Sequence, residues 1–194
     1  YSSTFNFKFC STYKNYILTK FDNNKILSNV EKLLNDTIPY KKYDTDLIGD
    51  KYFKEAKRLL PDNNYIGFSI TQGNIYRKKS WPIENFLNIA DKILNKNKKP
   101  VFFIEKNNFD LINKIKKQIP NVLIPELDSK LSGPPLVTAF SMRLDKAISI
   151  DNGIMHMIGL ANIPMIVLFG PTNSKKFSPK IKNINILDSK ILYN

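Results

Sequence analysis

Residues 147–169 read AISIDNGIMHMIGLANIPMIVLF, and this stretch decides the fold. Residues 147–150 are a short apolar run typical of a buried strand, residues 153–161 have apolar side chains at helical spacing, and residues 165–169 are a second apolar run. A strand, a helix and another strand in such close succession predict a parallel βαβ unit.

The same alternation extends upstream of this unit. It predicts strands at residues 65–70, 101–104 and 122–124, and helices at residues 83–96, 109–118 and 136–142. A short helix with apolar positions from Tyr52 to Leu60 precedes them and ends at Pro61. We therefore predict an α/β fold, a Rossmann-like, doubly wound parallel sheet with helices on both faces.

The first part of the chain has a different pattern. Residues 24–36 predict one amphipathic helix, and the polar segment at residues 40–50 separates it from the α/β pattern. We expect residues 1–48 to be the remnant of a preceding domain with its linker, and residues 49–194 to form the Rossmann-like domain. Because the chain begins at Tyr1 and not at methionine, we interpret it as a piece of a longer polypeptide in which only one domain is complete.

Composition excludes several classes of protein. Hydrophobic residues make up 42% of the 194 residues, which predicts a globular chain, and no apolar run is long enough to cross a bilayer. The net charge of +13 comes mainly from lysines scattered through every predicted helix, without an Arg-rich helix, so nucleic acid is not an expected partner. The lone Cys10 excludes an internal disulfide and a Cys-based metal cluster, and it agrees with a cytoplasmic location.

A long loop follows the strand predicted at residues 65–70. Residues 71–82 read TQGNIYRKKSWP, with a glycine, hydroxyl groups and three consecutive cations ahead of a helix. In open α/β sheets, ligands lie beyond the carboxyl ends of the strands, where helices present free N–H groups to anions. A polyphosphate would fit this loop. The alternative is a solvated basic loop in which Trp81 packs as a hydrophobic staple.

A second strand end carries the turn from Asp151 to His156. Asn152 can cap the following helix, and Gly153 allows a ligand to approach the backbone closely. His156 is the only histidine of the chain and lies one turn into the helix, on the same face. This arrangement predicts the lip of a pocket; the alternative is a capping turn with a buried, hydrogen-bonded histidine. A third strand end, at Gly170 to Thr172, has a turn and a hydroxyl group.

These segments together resemble the signature of glycosyltransferase family 9, the heptosyltransferases of lipopolysaccharide core assembly. The resemblance rests on DNGIMH at residues 151–156, Ala161, Pro164 and LFGPT at residues 168–172. Upstream, KSWP at residues 79–82 is similar to the Lys-x-Trp-Pro element of the family. Two positions depart from the pattern: Asn152 stands where the family has Ser or Thr, and Gly159 lies in a stretch that is usually rich in alanine.

The resemblance implies a GT-B fold of two facing Rossmann-like domains, with this chain supplying the C-terminal, donor-binding half and the tail of the N-terminal acceptor domain. Lys79 would neutralise the donor diphosphate, Thr71 would add a phosphate hydrogen bond, and Glu105 would contact the ribose hydroxyls. The donor-binding turn would consist of Asp151, Asn152, Gly153, Ile154 and His156. The catalytic base belongs to the missing N-terminal region in this interpretation, so no catalytic residue is expected here, and neither a metal nor another cofactor is expected.

The leading hypothesis is transfer of a heptose-like sugar from an ADP-sugar donor to a lipopolysaccharide core or another glycan acceptor. The acceptor would be a lipid-linked or core oligosaccharide at the inner face of the bacterial inner membrane, where a basic surface would make peripheral contact with anionic lipid. Two alternatives stay open: a nucleotide-sugar epimerase with the GT-B architecture, and a non-catalytic nucleotide-binding module.

Overall fold

A computed structural model describes residues 48–73, 76, 79–179 and 181–193 of the chain. The chain separates into two compact units, Tyr1–Lys42 and Tyr43–Asn194, and every described residue belongs to the second. The helix expected at residues 24–36 lies outside the described residues.

Strands and helices alternate along the described residues. The strands are β1 (Tyr65–Ser69), β2 (Lys99–Phe103), β3 (Leu144–Ile150), β4 (Met165–Phe169) and β5 (Ile184–Asp188). The helices are α1 (Asp50–Leu59), α2 (Ile83–Leu94), α3 (Phe109–Gln118), α4 (Pro125–Asp128), α5 (Pro134–Ser141), α6 (Gly153–Leu160), α7 (Ser174–Phe177) and α8 (Ser189–Leu192). None of these helices has the length and apolar character needed to cross a bilayer.

All five strands are parallel and form one sheet in the order β2-β1-β3-β4-β5. The chain first moves outward from β1 to β2 and then returns to place β3 on the other side of β1. The strand order therefore reverses between β1 and β3, and a topological switch point of this kind is where open α/β sheets bind ligands.

Helices cover both faces of the sheet, as predicted. On one face, α1, α5 and α6 pack on buried side chains that include Phe103, Phe140 and Val167. On the other face, α2 and α3 pack on a second cluster, in which Phe68 of β1 stacks on Phe102 of β2 with ring centroids 4.7 Å apart. The doubly wound α/β fold is therefore confirmed.

One predicted strand is wrong. Residues 122–124 do not form a strand, because only Leu123 makes an isolated bridge to Val101 at the outer edge of β2. Pro120 and Pro125 flank this segment and have no N–H to donate, so a longer ladder cannot form there. The helix expected to begin at residue 136 begins at Pro134, since proline is well tolerated in the first helical turn.

Candidate functional site

Asn152 joins the carboxyl ends of β1 and β3 at the switch point. Its Oδ1 accepts a hydrogen bond from the N–H of Met155 at 2.8 Å, which caps α6 as the sequence predicts. Its Nδ2 donates to the hydroxyl of the fully buried Ser69 at 2.7 Å and to the carbonyl of Thr71 at 2.8 Å. One side chain thus ties the end of β1, the loop that follows it and the first turn of α6 together.

Lys79 reaches the same place from the loop before α2. Its Nζ lies 2.5 Å from Oδ2 of Asp151 and 3.2 Å from the Asp151 carbonyl oxygen. The two side chains are only 12% and 8% exposed. Thr172, after β4, donates its hydroxyl to the same Oδ2 at 2.6 Å. The Thr172 hydroxyl was expected only as part of a turn; instead it belongs to this ion pair, which joins three strand ends.

The loop that carries Lys79 is anchored on both sides of it. Oε1 of Gln72 accepts a hydrogen bond from the Lys79 N–H at 2.9 Å. Two residues further on, the Trp81 ring meets Phe86 edge-on with centroids 5.0 Å apart. These two residues flank the N-cap Pro82 at the positions of a hydrophobic staple, so the staple contact expected of Trp81 is present. Because the staple fixes how the chain enters α2, it also helps to hold Lys79 at the switch point.

The first turn of α6 presents backbone donors beside the ion pair. The N–H groups of Gly153 and Ile154 occupy the first two helical positions, which have no intrahelical acceptor. A Cβ built on Gly153 would have no atom within 4 Å, so its backbone is open to a ligand. The side chain of Ile154 is half-buried and packs against the core. Only the backbone N–H of Ile154 is therefore suited to binding a ligand.

His156 lies one turn further along α6 and borders a cleft of about 410 Å³. Gly159, Ser178 and Pro179 line the same cleft. Desolvation by the surrounding protein lowers the pKa of His156 from its ordinary value; Asp151 opposes this change and Lys79 adds to it. This lowered pKa favours the neutral imidazole, with one nitrogen able to donate and the other able to accept a hydrogen bond.

The predicted residues divide into two groups. Contacts join Lys79 with Asp151 and Asn152 with the Thr71 backbone, while Gly153, Ile154 and His156 follow on α6. The structure does not bring Glu105 into this group, because it is exposed after β2, beside Lys106 and Glu126. The sequence did not indicate the contacts of Ser69 and Gln72, and it indicated Thr172 only as a hydroxyl in a turn. In the described part of the chain, no three His, Cys, Asp or Glu side chains come together as metal ligands do.

Solved structures of several proteins share this fold. The heptosyltransferase II of E. coli, described as an ADP-heptose lipopolysaccharide heptosyltransferase, matches with a TM-score of 0.60 at 16% identity over 72% of this chain and 43% of that one. The E. coli heptosyltransferase WaaC with ADP matches with a TM-score of 0.59 at 16% identity over 83% of this chain and 48% of its own. This chain therefore spans less than half the length of these proteins.

A family 9 glycosyltransferase from Veillonella parvula matches at 22% identity and a TM-score of 0.56, over 81% of this chain and 43% of that one. No curated protein matches the chain. The sequence profile of glycosyltransferase family 9 (heptosyltransferase) matches residues 20–193, which is nearly the whole chain. On this match, and with the switch-point arrangement described above, the chain belongs to glycosyltransferase family 9.

Proposed function

We propose that this domain binds the diphosphate of a nucleotide-sugar donor at the switch point, and that the protein transfers a heptose-like sugar from an ADP-sugar to a glycan acceptor. The observation that carries the proposal is the buried Lys79–Asp151 pair beside the open first turn of α6. A cation and helix N–H groups that converge at a strand end form a binding site for phosphate oxygens.

The burial of the ion pair supports a role in binding. Taking two charges out of water costs about as much as their attraction returns, so a buried pair contributes little to folding on balance. Asp151 accepts from both Lys79 and Thr172, which fixes its carboxylate. In this proposal Asp151 is a positioning residue that aims the Lys79 ammonium, and Lys79 contacts the diphosphate.

The same groups suit the chemistry of glycosyl transfer. When the bond between the anomeric carbon and the diphosphate oxygen breaks, negative charge grows on the diphosphate. Lys79 and the N–H groups of Gly153 and Ile154 would stabilise that charge, and the Thr71 hydroxyl would add one more donor. The neutral His156 beside its cleft would then hydrogen-bond the sugar hydroxyls. None of the described residues is proposed as the base that deprotonates the acceptor.

The adenine nucleotide is proposed from the structural relatives. Two of the similar structures are E. coli WaaC with ADP and with ADP-2-deoxy-2-fluoro heptose. The acceptor proposed here is a lipopolysaccharide core or another lipid-linked glycan. The net charge of +13 would favour peripheral contact with an anionic membrane at its cytoplasmic face.

Calorimetric titration of the 194-residue chain with ADP and with UDP, at fixed moderate salt, tests the donor site. The informative variant combines Lys79→Met with Asp151→Asn, because removing both charges together leaves no unpaired buried charge. We expect it to bind ADP roughly 10- to 100-fold more weakly, the effect of losing a charge-assisted hydrogen bond.

The matched control combines Lys98→Met with Asp145→Asn. This pair is 3.0 Å apart and exposed, and it lies at the opposite, amino end of the sheet, so its removal should leave ADP affinity unchanged. A folded chain that binds neither nucleotide, or equal losses in both double variants, would contradict the proposal.

Product analysis with an ADP-sugar and a glycan acceptor tests the transfer step. Sugar attached to the acceptor supports the proposal. Free epimerised nucleotide-sugar would indicate an epimerase instead, and nucleotide binding without turnover by the whole protein would indicate a non-catalytic module.

A further inference from the structure

A closed ring of hydrogen bonds surrounds the base of the Lys79 side chain. Nδ2 of Asn152 donates to the Thr71 carbonyl at 2.8 Å, and the next residue, Gln72, accepts from the Lys79 N–H at 2.9 Å through its Oε1. Nζ of Lys79 then returns to Asp151, the residue before Asn152, at 2.5 Å from Oδ2 and 3.2 Å from the carbonyl oxygen. Each of the three segments in the ring is therefore held by the other two.

Lys79 is held in this ring at both ends of its side chain. Its backbone N–H lies outside the helices and strands, and the Gln72 side chain supplies the acceptor. Its ammonium is held by Asp151. Because a lysine stem is a flexible chain of four carbons, fixing the ammonium alone would not fix the backbone from which it extends. Gln72 supplies this second fixed point, and Asn152 in turn fixes the backbone beside Gln72.

The Lys79 ammonium keeps one N–H for a ligand. It carries three donors, and Oδ2 and the carbonyl oxygen of Asp151 accept from two of them. In the part of the chain that the structure describes, no residue accepts from the third. The direction of this third N–H depends on where the Lys79 backbone lies, and the contact with Gln72 helps to set that position.

We infer that Gln72 is a positioning residue for the donor diphosphate. It does not contact the ligand; it fixes the backbone of Lys79, so that the ammonium already lies at the switch point when the diphosphate arrives. Ordering a flexible cation before binding reduces the entropy that binding has to offset. The inference rests on the proposed function, because it assumes that Lys79 contacts the diphosphate.

Calorimetric titration of Gln72→Met with ADP tests the inference. Methionine is close to glutamine in size and its thioether is only a weak acceptor, so the ring opens at the Lys79 N–H. We expect ADP affinity to fall roughly 3- to 10-fold, the effect of losing one hydrogen bond. The matched control is Gln118→Met, which should leave ADP affinity unchanged, because Gln118 is the other glutamine of the chain and lies exposed at the last position of α3.

A double-mutant cycle separates positioning from a general effect on the loop. Gln72→Met is added to the Lys79/Asp151 double variant, and both are titrated with ADP at the same salt concentration. If Gln72 acts through the Lys79 ammonium, its replacement should cause no further loss of affinity once that ammonium is absent. If Gln72→Met weakens ADP binding by the same factor in both backgrounds, Gln72 acts independently of Lys79 and the inference is wrong.

The outcomes also separate this inference from the proposed function. If Gln72→Met binds ADP as tightly as the parent chain while the Lys79/Asp151 double variant loses affinity, the inference is wrong and the donor site stands. Equal losses in Gln72→Met and Gln118→Met would contradict the inference as well. If the folded parent chain binds no nucleotide, both fail. Should Gln72→Met not fold, Gln72→Ala, which also has no side-chain acceptor, replaces it with the same expectations.

Discussion

Replacing Asn152 by alanine should destabilise the domain by about 2–4 kcal/mol. The loss of the α6 N-cap accounts for about 1 kcal/mol of this change. The Thr71 carbonyl and the buried Ser69 hydroxyl also lose the hydrogen bonds that Asn152 donates, and each such loss costs about 1 kcal/mol. The total is large for one polar side chain because Asn152 connects three segments.

Asn152→Ser divides this total into its parts. A serine hydroxyl can still accept from the Met155 N–H and cap α6, but it is too short to reach the Thr71 carbonyl. We expect Asn152→Ser to cost about 1–2 kcal/mol, between the parent chain and Asn152→Ala.

Urea unfolding followed by circular dichroism measures both variants, with the free energy of unfolding compared at equal slope. Two results would refute the reasoning. The first is an Asn152→Ala variant whose free energy of unfolding lies within 1 kcal/mol of the parent. The two hydrogen bonds that Asn152 donates would then add nothing to the effect of the N-cap. The second is equal loss in the two variants, because the cap would then have no separate effect.

Two further predictions concern buried positions. Since the pKa of Glu126 is about 7 in the folded chain against its ordinary 4.5, the folded state holds this proton more tightly than the unfolded state. Stability from this group is complete below pH 4.5 and is lost as the pH rises to 7, by up to about 3 kcal/mol, whereas Glu126→Gln should not show this loss in a series of urea titrations. Gly67→Ala should destabilise by about 1–3 kcal/mol, because the new Cβ would lie 2.5 Å from Cδ1 of Leu144. Adding Leu144→Val should recover part of the loss, and purely additive effects would show that the two side chains do not compete for space.

The fold could be predicted from the sequence because its strands are buried and its helices are amphipathic. The β3–α6–β4 unit agrees with prediction to within a few residues. Residues 122–124 were misassigned, since a short apolar run has the composition of a strand whether or not neighbouring prolines let it pair.

The candidate site was only partly predictable. The hydrogen bond by which Asn152 caps α6 joins residues three positions apart, so the local sequence is enough to predict it. The pairing of Lys79 with Asp151 joins residues 72 positions apart, and the resemblance to a family indicated both residues without indicating that they touch. The contact of Thr172 with Asp151 depends on the adjacency of β3 and β4. Outside the site, the burial of Glu126 could not be predicted either, because it follows from how α4 packs against β2 and not from any local pattern.

The stapled loop also gives the protein an intrinsic optical reporter. Trp81 is the only tryptophan in the chain, it is 38% exposed, and it lies two residues from Lys79 with its ring against Phe86. All indole fluorescence therefore originates at the entrance to α2, next to the proposed phosphate contact. Any rearrangement of this loop can be followed by emission wavelength and quenching in the unlabelled protein, on the stopped-flow timescale, without a fluorophore attached near the site.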